Sequence, residues 1–334
     1  MDFQLSDDQR ALRSGMRDLL GAVFDRDRLR AAVDRGGALD RALWRELGAA
    51  GFFALRLPEE AGGVGLGLPE AVLLFEEAGR ALLPGPLVAT HLAAGRVKGA
   101  AEGEAVVTAV DGELPVAHLA EADAVLMGAE TLTGEALRAF VAAARPVRSM
   151  DPLTPLHRVA GRAAATEAYR AYPGALRHEG ALLTAAEQLG SAARTTETAV
   201  QHAGDREQFG SPIGSFQAVK HLCADMLART EPARAAVYAA AVTGDPVEIA
   251  AAKLLADEAA VHNARDCLQI HGGMGFTWEA DVHLHLKRAW LRSASLLDRA
   301  GAEELLAAGL GAARPGPGGP AAPGRRPVEA GGGG

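Results

Sequence analysis

Beyond Pro173 the chain carries three long runs in which apolar residues recur at helical spacing. One spans Glu179 to His202. A second starts near Phe216 and runs past Met226, and a third opens at Asp245-Pro246 and continues through Lys253, Val261 and Cys267 to Ile270. Helices of that length cannot bury an apolar stripe alone, so they must lie side by side, and a helix bundle is predicted. The loop His271-Gly272-Gly273-Met274-Gly275-Phe276 stops the third run, and a last helical piece is expected from Asp281 to Leu297 or beyond. Aromatic residues are only 4% of the 334. The interior must therefore be built from Ala, Leu and Val, of which the first two are strong helix formers.

The first hundred residues are also helical in pattern. Ser6 and Gln9 have the spacing of a capping box, ahead of a stripe of Leu12, Met16, Leu19, Leu20 and Val23. Asp40 is placed to cap a helix through Leu43, Trp44 and Leu47 to Gly48. Pro69 is placed to open another, Pro84-Gly85-Pro86 ends it, and a further helix is expected near Leu87. Between residues 101 and 159 the texture changes to short β-type runs, Glu104–Val110 and Ala124–Met127, with Asp111-Gly112 as a turn. Met150-Asp151-Pro152-Leu153-Thr154-Pro155-Leu156 reads as the exit linker. The expected domains are residues 1–100 (helical), 101–160 (small β), 161–313 (helical bundle) and a Pro/Gly-rich, disordered tail at 314–334.

Composition excludes several classes. With 34 basic and 42 acidic residues the net charge is −8, opposite to the basic face of a nucleic-acid binder. No apolar run has membrane-span length, and the first residues are acidic where a secretory signal would be basic. Cys223 and Cys267 fall within apolar helical patterns and read as buried thiols of a reducing compartment. A cytoplasmic protein is expected.

Three stretches carry chemistry: Arg206-Glu207-Gln208-Phe209-Gly210 with Phe216-Gln217 after it, Gln269-Ile270-His271-Gly272-Gly273, and the glycine loop Leu57 to Gly67 with Glu76-Glu77-Ala78-Gly79-Arg80 behind it. An arginine beside a glycine loop can satisfy a pyrophosphate through paired charge-assisted hydrogen bonds. Glycines without Cβ let backbone N–H groups approach a phosphate. Each feature also has a plainer reading, as a solvated helix-end charge, a helix C-terminal turn, or, for Phe209, a core residue.

Together these stretches resemble the acyl-CoA dehydrogenase flavoproteins, over residues 1–100 and 173–298. The resemblance implies a mainly α fold with an N-terminal helical domain, a small β-domain and a C-terminal four-helix bundle. It implies FAD as cofactor, with Arg206, Gln208, Phe209, Gln217, Gln269, Gly272 and Gly273 as cofactor-binding residues. In such proteins the glycine turn reaches the cofactor of a neighbouring subunit. The implied reaction is α,β-desaturation of an acyl-CoA thioester, with electron-transfer flavoprotein as acceptor. A glutamate removes the α proton and the flavin takes the β hydrogen as hydride.

Two departures qualify the resemblance. The commonest position of the base falls on Leu296, and the alternative position, at the start of the first long bundle helix, falls on Gly180 beside Glu179. Glu179, one residue out of register, is the candidate base; otherwise a partner supplies it. Nothing between Ala101 and Val159 matches the flavin-ring loop, and the β-domain is shortened. Shortened chains of this kind resemble one subunit of the heteromeric α2β2 enzymes of actinobacterial steroid degradation, which act on bulky acyl-CoA substrates beside a homologous full-length subunit. A non-catalytic scaffold that stabilises such a partner is the competing reading. His283, His285 and Lys287 do not converge on a metal, and with Glu59 and Glu60 they read as solvated surface.

Overall fold

A computed structural model of the chain describes residues 4–159 and 174–312. The expected tail, 314–334, lies outside the described residues, as does the chain between β6 and α7 defined below. Helix α1 (Asp7–Val23) starts at Ser6 with the predicted reciprocal capping box and buries Met16 and Leu20. The sequence reading lacks α2 (Arg26–Asp34), capped by Asp25, because only Leu29, Ala32 and Val33 of its nine residues are buried. Helix α3 (Arg41–Ala49) begins at the Asp40 cap, α4 (Leu68–Arg80) opens with proline in its first turn, and α5 (Leu87–Ala93) follows the Pro-Gly-Pro break.

The β unit is richer than its sequence pattern. Strand β1 (Val107–Ala109) pairs in parallel with β3 (Ala124–Met127), in register Val107 to Ala124, and β4 (Glu130–Leu132) joins β3 antiparallel. A second sheet has the order β2 (Val116–Ala117), β6 (Leu156–Val159), β5 (Ala144–Val147), with α6 (Gly134–Ala142) leading into β5. The exit linker is thereby corrected. Its last residue, Leu156, begins β6 and pairs with Val147. Asp151 is wholly buried, because its carboxylate is ion-paired with Arg288 far along the chain.

The bundle consists of α7 (Gly174–Asp205), α8 (Gln217–Thr243) and α9 (Pro246–His271), packed against one another. Asp245 caps α9 as predicted. The single last helix is corrected to two, α10 (Val282–Ser293) and α11 (Arg299–Ala312). The chain breaks between them at Leu296, whose φ is +62°. A β-branchless leucine tolerates that left-handed conformation only under outside constraint, and its N–H is held by the Asp111 carboxylate.

Helix α4 locks the N-terminal helices onto the bundle. A Cβ on Gly79 would stand 2.0 Å from the Glu187 carbonyl oxygen, and one on Gly190 would stand 1.9 Å from that of Glu76. The two backbones thus touch at mutual glycines. Beside them, buried Glu76 accepts from the Tyr238 hydroxyl at 2.6 Å and pairs with Arg234. Glu77 pairs with Arg17 at 2.6 Å, and Arg80 with Glu197 at 2.6 Å. The Glu76–Arg80 run is therefore a fastening between four helices. The main core is a large cluster of Leu, Ala and Phe around Trp44, Phe52, Phe53 and Phe75, with smaller clusters in the β unit and at the end of the bundle. Cys267 is buried, with its thiol pushed up to about 12 by desolvation, whereas Cys223 is only half-buried.

Candidate functional site

Two features concentrate chemistry. The first is one end of the bundle. Helix α7 ends in a hairpin, β7 (Glu207–Gln208) and β8 (Ser211–Pro212), whose two-residue loop is Phe209-Gly210. Both loop residues have positive φ, +53° and +77°, the combination a type I′ turn demands. Phe209 is 94% exposed. It therefore spends about 1 kcal/mol or more of backbone strain without burying its ring, its one aromatic neighbour among the described residues being Phe216 with centroids 6.2 Å apart. The reading of Phe209 as core is thus corrected.

The hairpin and the end of α9 meet at this pole. Ile213, Val219 and Leu222 pack with Met226, Cys267, Leu268 and Ile270 in one apolar cluster. The rings of His202 and His271 stack at 4.0 Å. Arg206 is anchored through its backbone, N–H to the His202 carbonyl and carbonyl to the Ile213 N–H at 2.7 Å, which leaves its side chain exposed. Gln208, Gln217 and Gln269 are exposed as well, Gln208 donating to the Glu207 carbonyl. The expected loop after α9 is a 3-10 turn, Gly272–Phe276. A Cβ at Gly272 or Gly273 would meet open space, and Gly272 has φ +60° and ψ −143°, a region that glycine alone enters readily. All seven predicted cofactor residues thus lie on this pole, in reach of solvent, with Met274 and Phe276 exposed beside them. An open glycine turn and an exposed guanidinium each suit a diphosphate.

The second feature is a cavity of about 200 Å³ between α5, the β unit, α7 and α10. Pro86, Leu87, Val88, Leu92, Leu291 and Leu296 make it largely apolar. Gly180 faces the same place, since its Cβ would stand 3.1 Å from Leu296 Cδ1 and 3.4 Å from Leu92 Cδ1. The polar side comes from residues the sequence reading did not single out. Glu187 is buried and accepts from Arg292 at 2.5 Å, and burial raises its pKa against the pull of Arg292 and Arg288. Arg292 is held down to about 10 by desolvation. Arg288 pairs with Asp151 and donates to the Leu83 carbonyl at 3.1 Å, while burial disfavours the charged form of His118. The signal was the spacing Gly180, Thr184, Glu187, Ser191, which places four small or polar residues on one buried face of α7.

Glu179 is not among the cavity-lining residues. One helical step from Gly180 turns its side chain by about 100°, and its carboxylate is ion-paired with Arg56. Burial lowers the pKa of that arginine. His283 and His285 are buried rather than solvated, since α10 turns that face inward. His285 Nδ1 lies 2.7 Å from the Ser191 hydroxyl, and the His283 ring stacks on Trp278 at 5.1 Å. Glu59 and Glu60 are exposed as expected. Among the described residues no cluster of His, Cys, Asp and Glu could hold a metal ion, and no helix is long and apolar enough to cross a membrane.

Residues 6–99 match the profile of the acyl-CoA dehydrogenase N-terminal domain, and residues 174–308 that of the C-terminal domain. Acyl-CoA dehydrogenase IpdE2 of Mycobacterium tuberculosis is 37% identical over 304 residues, covering 87% of this chain and 93% of that protein. Acyl-CoA dehydrogenase FadE34 of the same organism is 34% identical over 317 residues, covering 81% of this chain and 44% of that one. Among solved structures, a chain of the ChsE4-ChsE5 complex from Mycobacterium tuberculosis superimposes with a TM-score of 0.81 at 26% identity, over 94% of this chain and 100% of that one.

Proposed function

We propose, given that this chain belongs to the acyl-CoA dehydrogenase family, that it is one subunit of a heteromeric, FAD-dependent enzyme that desaturates a bulky, steroid-derived acyl-CoA in the cytoplasm. Family and fold carry the oxidoreductase assignment. Similarity to a chain of the ChsE4-ChsE5 complex supports the heteromer, and electron-transfer flavoprotein is the acceptor that suits the family.

The observation that carries the reading is the exposed, strained Phe209 hairpin set beside the open Gly272-Gly273 turn. A protein retains an aromatic in a costly conformation at full exposure when something outside the chain covers it. FAD supplies a hydride acceptor when bound. On this chain Arg206 would hold the diphosphate of one FAD by charge-assisted hydrogen bonds, while the Gly272 and Gly273 backbone would reach the FAD of the neighbouring subunit. Gln208, Gln217 and Gln269 would orient the adenosine end, and Phe209 would exclude water from it.

The α-proton acceptor belongs, on this reading, to the partner subunit. Gly180 and Leu296 hold no carboxylate, and Glu179 is engaged by Arg56. The test is co-expression with a homologous full-length subunit, followed by flavin quantification in the purified complex. Wild type is expected to be yellow, and Arg206→Ala to retain less than a tenth of the flavin at unchanged subunit stoichiometry. Undiminished flavin in that variant would favour the scaffold reading instead.

A further inference from the structure

The cavity beneath Leu296 keeps a polar wall whose carboxylates, Glu187 and Asp111, are already engaged. Arg288 and Arg292 are each more than nine-tenths buried and line it, yet Nη2 of the first and Nη1 of the second have no hydrogen-bond partner among the described residues. The neighbouring carboxylates do not remove that deficit. Asp151 is shared among Arg288, the Thr154 hydroxyl at 2.6 Å and the Leu153 N–H at 3.0 Å. Glu187 meets Arg292 through the other terminal nitrogen. Asp111, which lines the wall with Glu187, holds the Leu296 N–H. A guanidinium is a fixed fork of donors, and leaving one of them buried and unmade costs about 1–3 kcal/mol. An oxygen acceptor brought into the cavity would recover that cost, and the surrounding Pro86, Leu87, Val88 and Leu92 would take an apolar body. Aliphatic cavities of about 150 Å³ accept benzene, so this one has room for a ring somewhat larger.

We infer that this cavity is a non-reacting binding site for a compact apolar molecule bearing a carboxylate or carbonyl oxygen, received by Arg288 and Arg292. The site binds without desaturating because the two positions at which the family resemblance places a base, Gly180 and Leu296, present only backbone and methyl groups, and the carboxylates that line it, Glu187 and Asp111, are engaged by Arg292 and by the Leu296 N–H. The inference concerns this chain's own cavity and does not depend on the flavin-binding pole.

The test is calorimetric titration of the full chain with three compounds of one skeleton: cyclohexanecarboxylate, its CoA thioester, and cyclohexylmethylamine. The carboxylate or the thioester is expected to bind and to raise Tm, and which of them does so separates a free acid from an acyl carrier as the source. The ammonium compound is expected not to bind. The paired variant Glu187→Gln with Arg292→Met removes the ion pair as a unit, which is often tolerated where removal of one partner is not. It should weaken binding at least tenfold. Val88→Phe, which fills the cavity from a half-buried position, should abolish binding even if the paired variant does not fold. Equal binding of acid and amine, undiminished affinity in Val88→Phe, or no binding by either oxygen compound would overturn the proposal. Because Val88→Phe leaves Arg206 and the glycine turn untouched, flavin content of the complex reports separately on the proposed function.

Discussion

Leu296 Cδ1 lies 3.1 Å from where a Cβ of Gly180 would stand. Two segments far apart in sequence thus converge on one spot of the cavity wall, and neither brings a carboxylate to it. Glu179, next to that spot in sequence, projects elsewhere and pairs with Arg56. In the complex Glu179→Gln is therefore expected to change kcat by no more than about twofold. Losing a partly exposed ion pair should cost on the order of 1 kcal/mol of stability. Steady-state turnover together with a thermal melt checks both. A drop of a thousandfold in kcat would make Glu179 the base after all.

The glycine turn separates folding from cofactor capture. A Cβ at Gly273 meets nothing among the described residues, so Gly273→Ala should leave the melting of the isolated chain within about 0.5 kcal/mol of wild type. The same methyl would occupy the face offered to the diphosphate, and flavin retention in the complex is expected to fall at least tenfold. Gly272→Ala should also destabilise the chain itself, by about 1–3 kcal/mol, because its φ of +60° suits glycine. Denaturant titration measures the difference between the two variants.

The crossing of α4 and α7 has no slack. With Cβ positions 2.0 Å and 1.9 Å from opposing carbonyl oxygens, Gly79→Ala or Gly190→Ala must push two helix backbones apart. Each is expected to cost about 3 kcal/mol or more, at or above the upper end of ordinary overpacking. The double variant should cost less than the sum, because one displacement accommodates both methyl groups. Chemical denaturation of the two single variants and the double one reads the coupling.

Stability should fall on mild acidification. Desolvation lowers His91 from 6.5 to about 4 and His285 from 6.5 to about 3. Both rings are thus neutral when folded and take up a proton on unfolding below pH 6.5. The unfolded state binds more protons between the folded and unfolded values, so their contribution is present at neutral pH. It declines from pH 6.5 downward, by as much as about 1.4 kcal/mol per pH unit for each ring. His91→Gln should flatten the slope of unfolding free energy against pH between 6.5 and 4. An unchanged slope would show that the ring is not the titrating group.

What the sequence determined by itself was everything that local periodicity and capping encode. The Ser6, Asp40 and Asp245 caps, the three long bundle helices and the glycine turn after α9 all follow from neighbours within a few residues. The predicted cofactor residues could be named from the sequence because they sit in two short, contiguous stretches. Tertiary structure decided what depends on distant partners. Helix α2 carries too few apolar residues to declare itself, and strands of two to four residues acquire meaning only from pairing. The meeting of Gly180 with Leu296, and the burial of Glu187, Arg288 and Arg292 around one cavity, join α7 to α10 across more than a hundred residues. No local pattern encodes that contact, because it is selected by the packing of whole helices, and a charged residue shows its burial only once the opposing charge is in place.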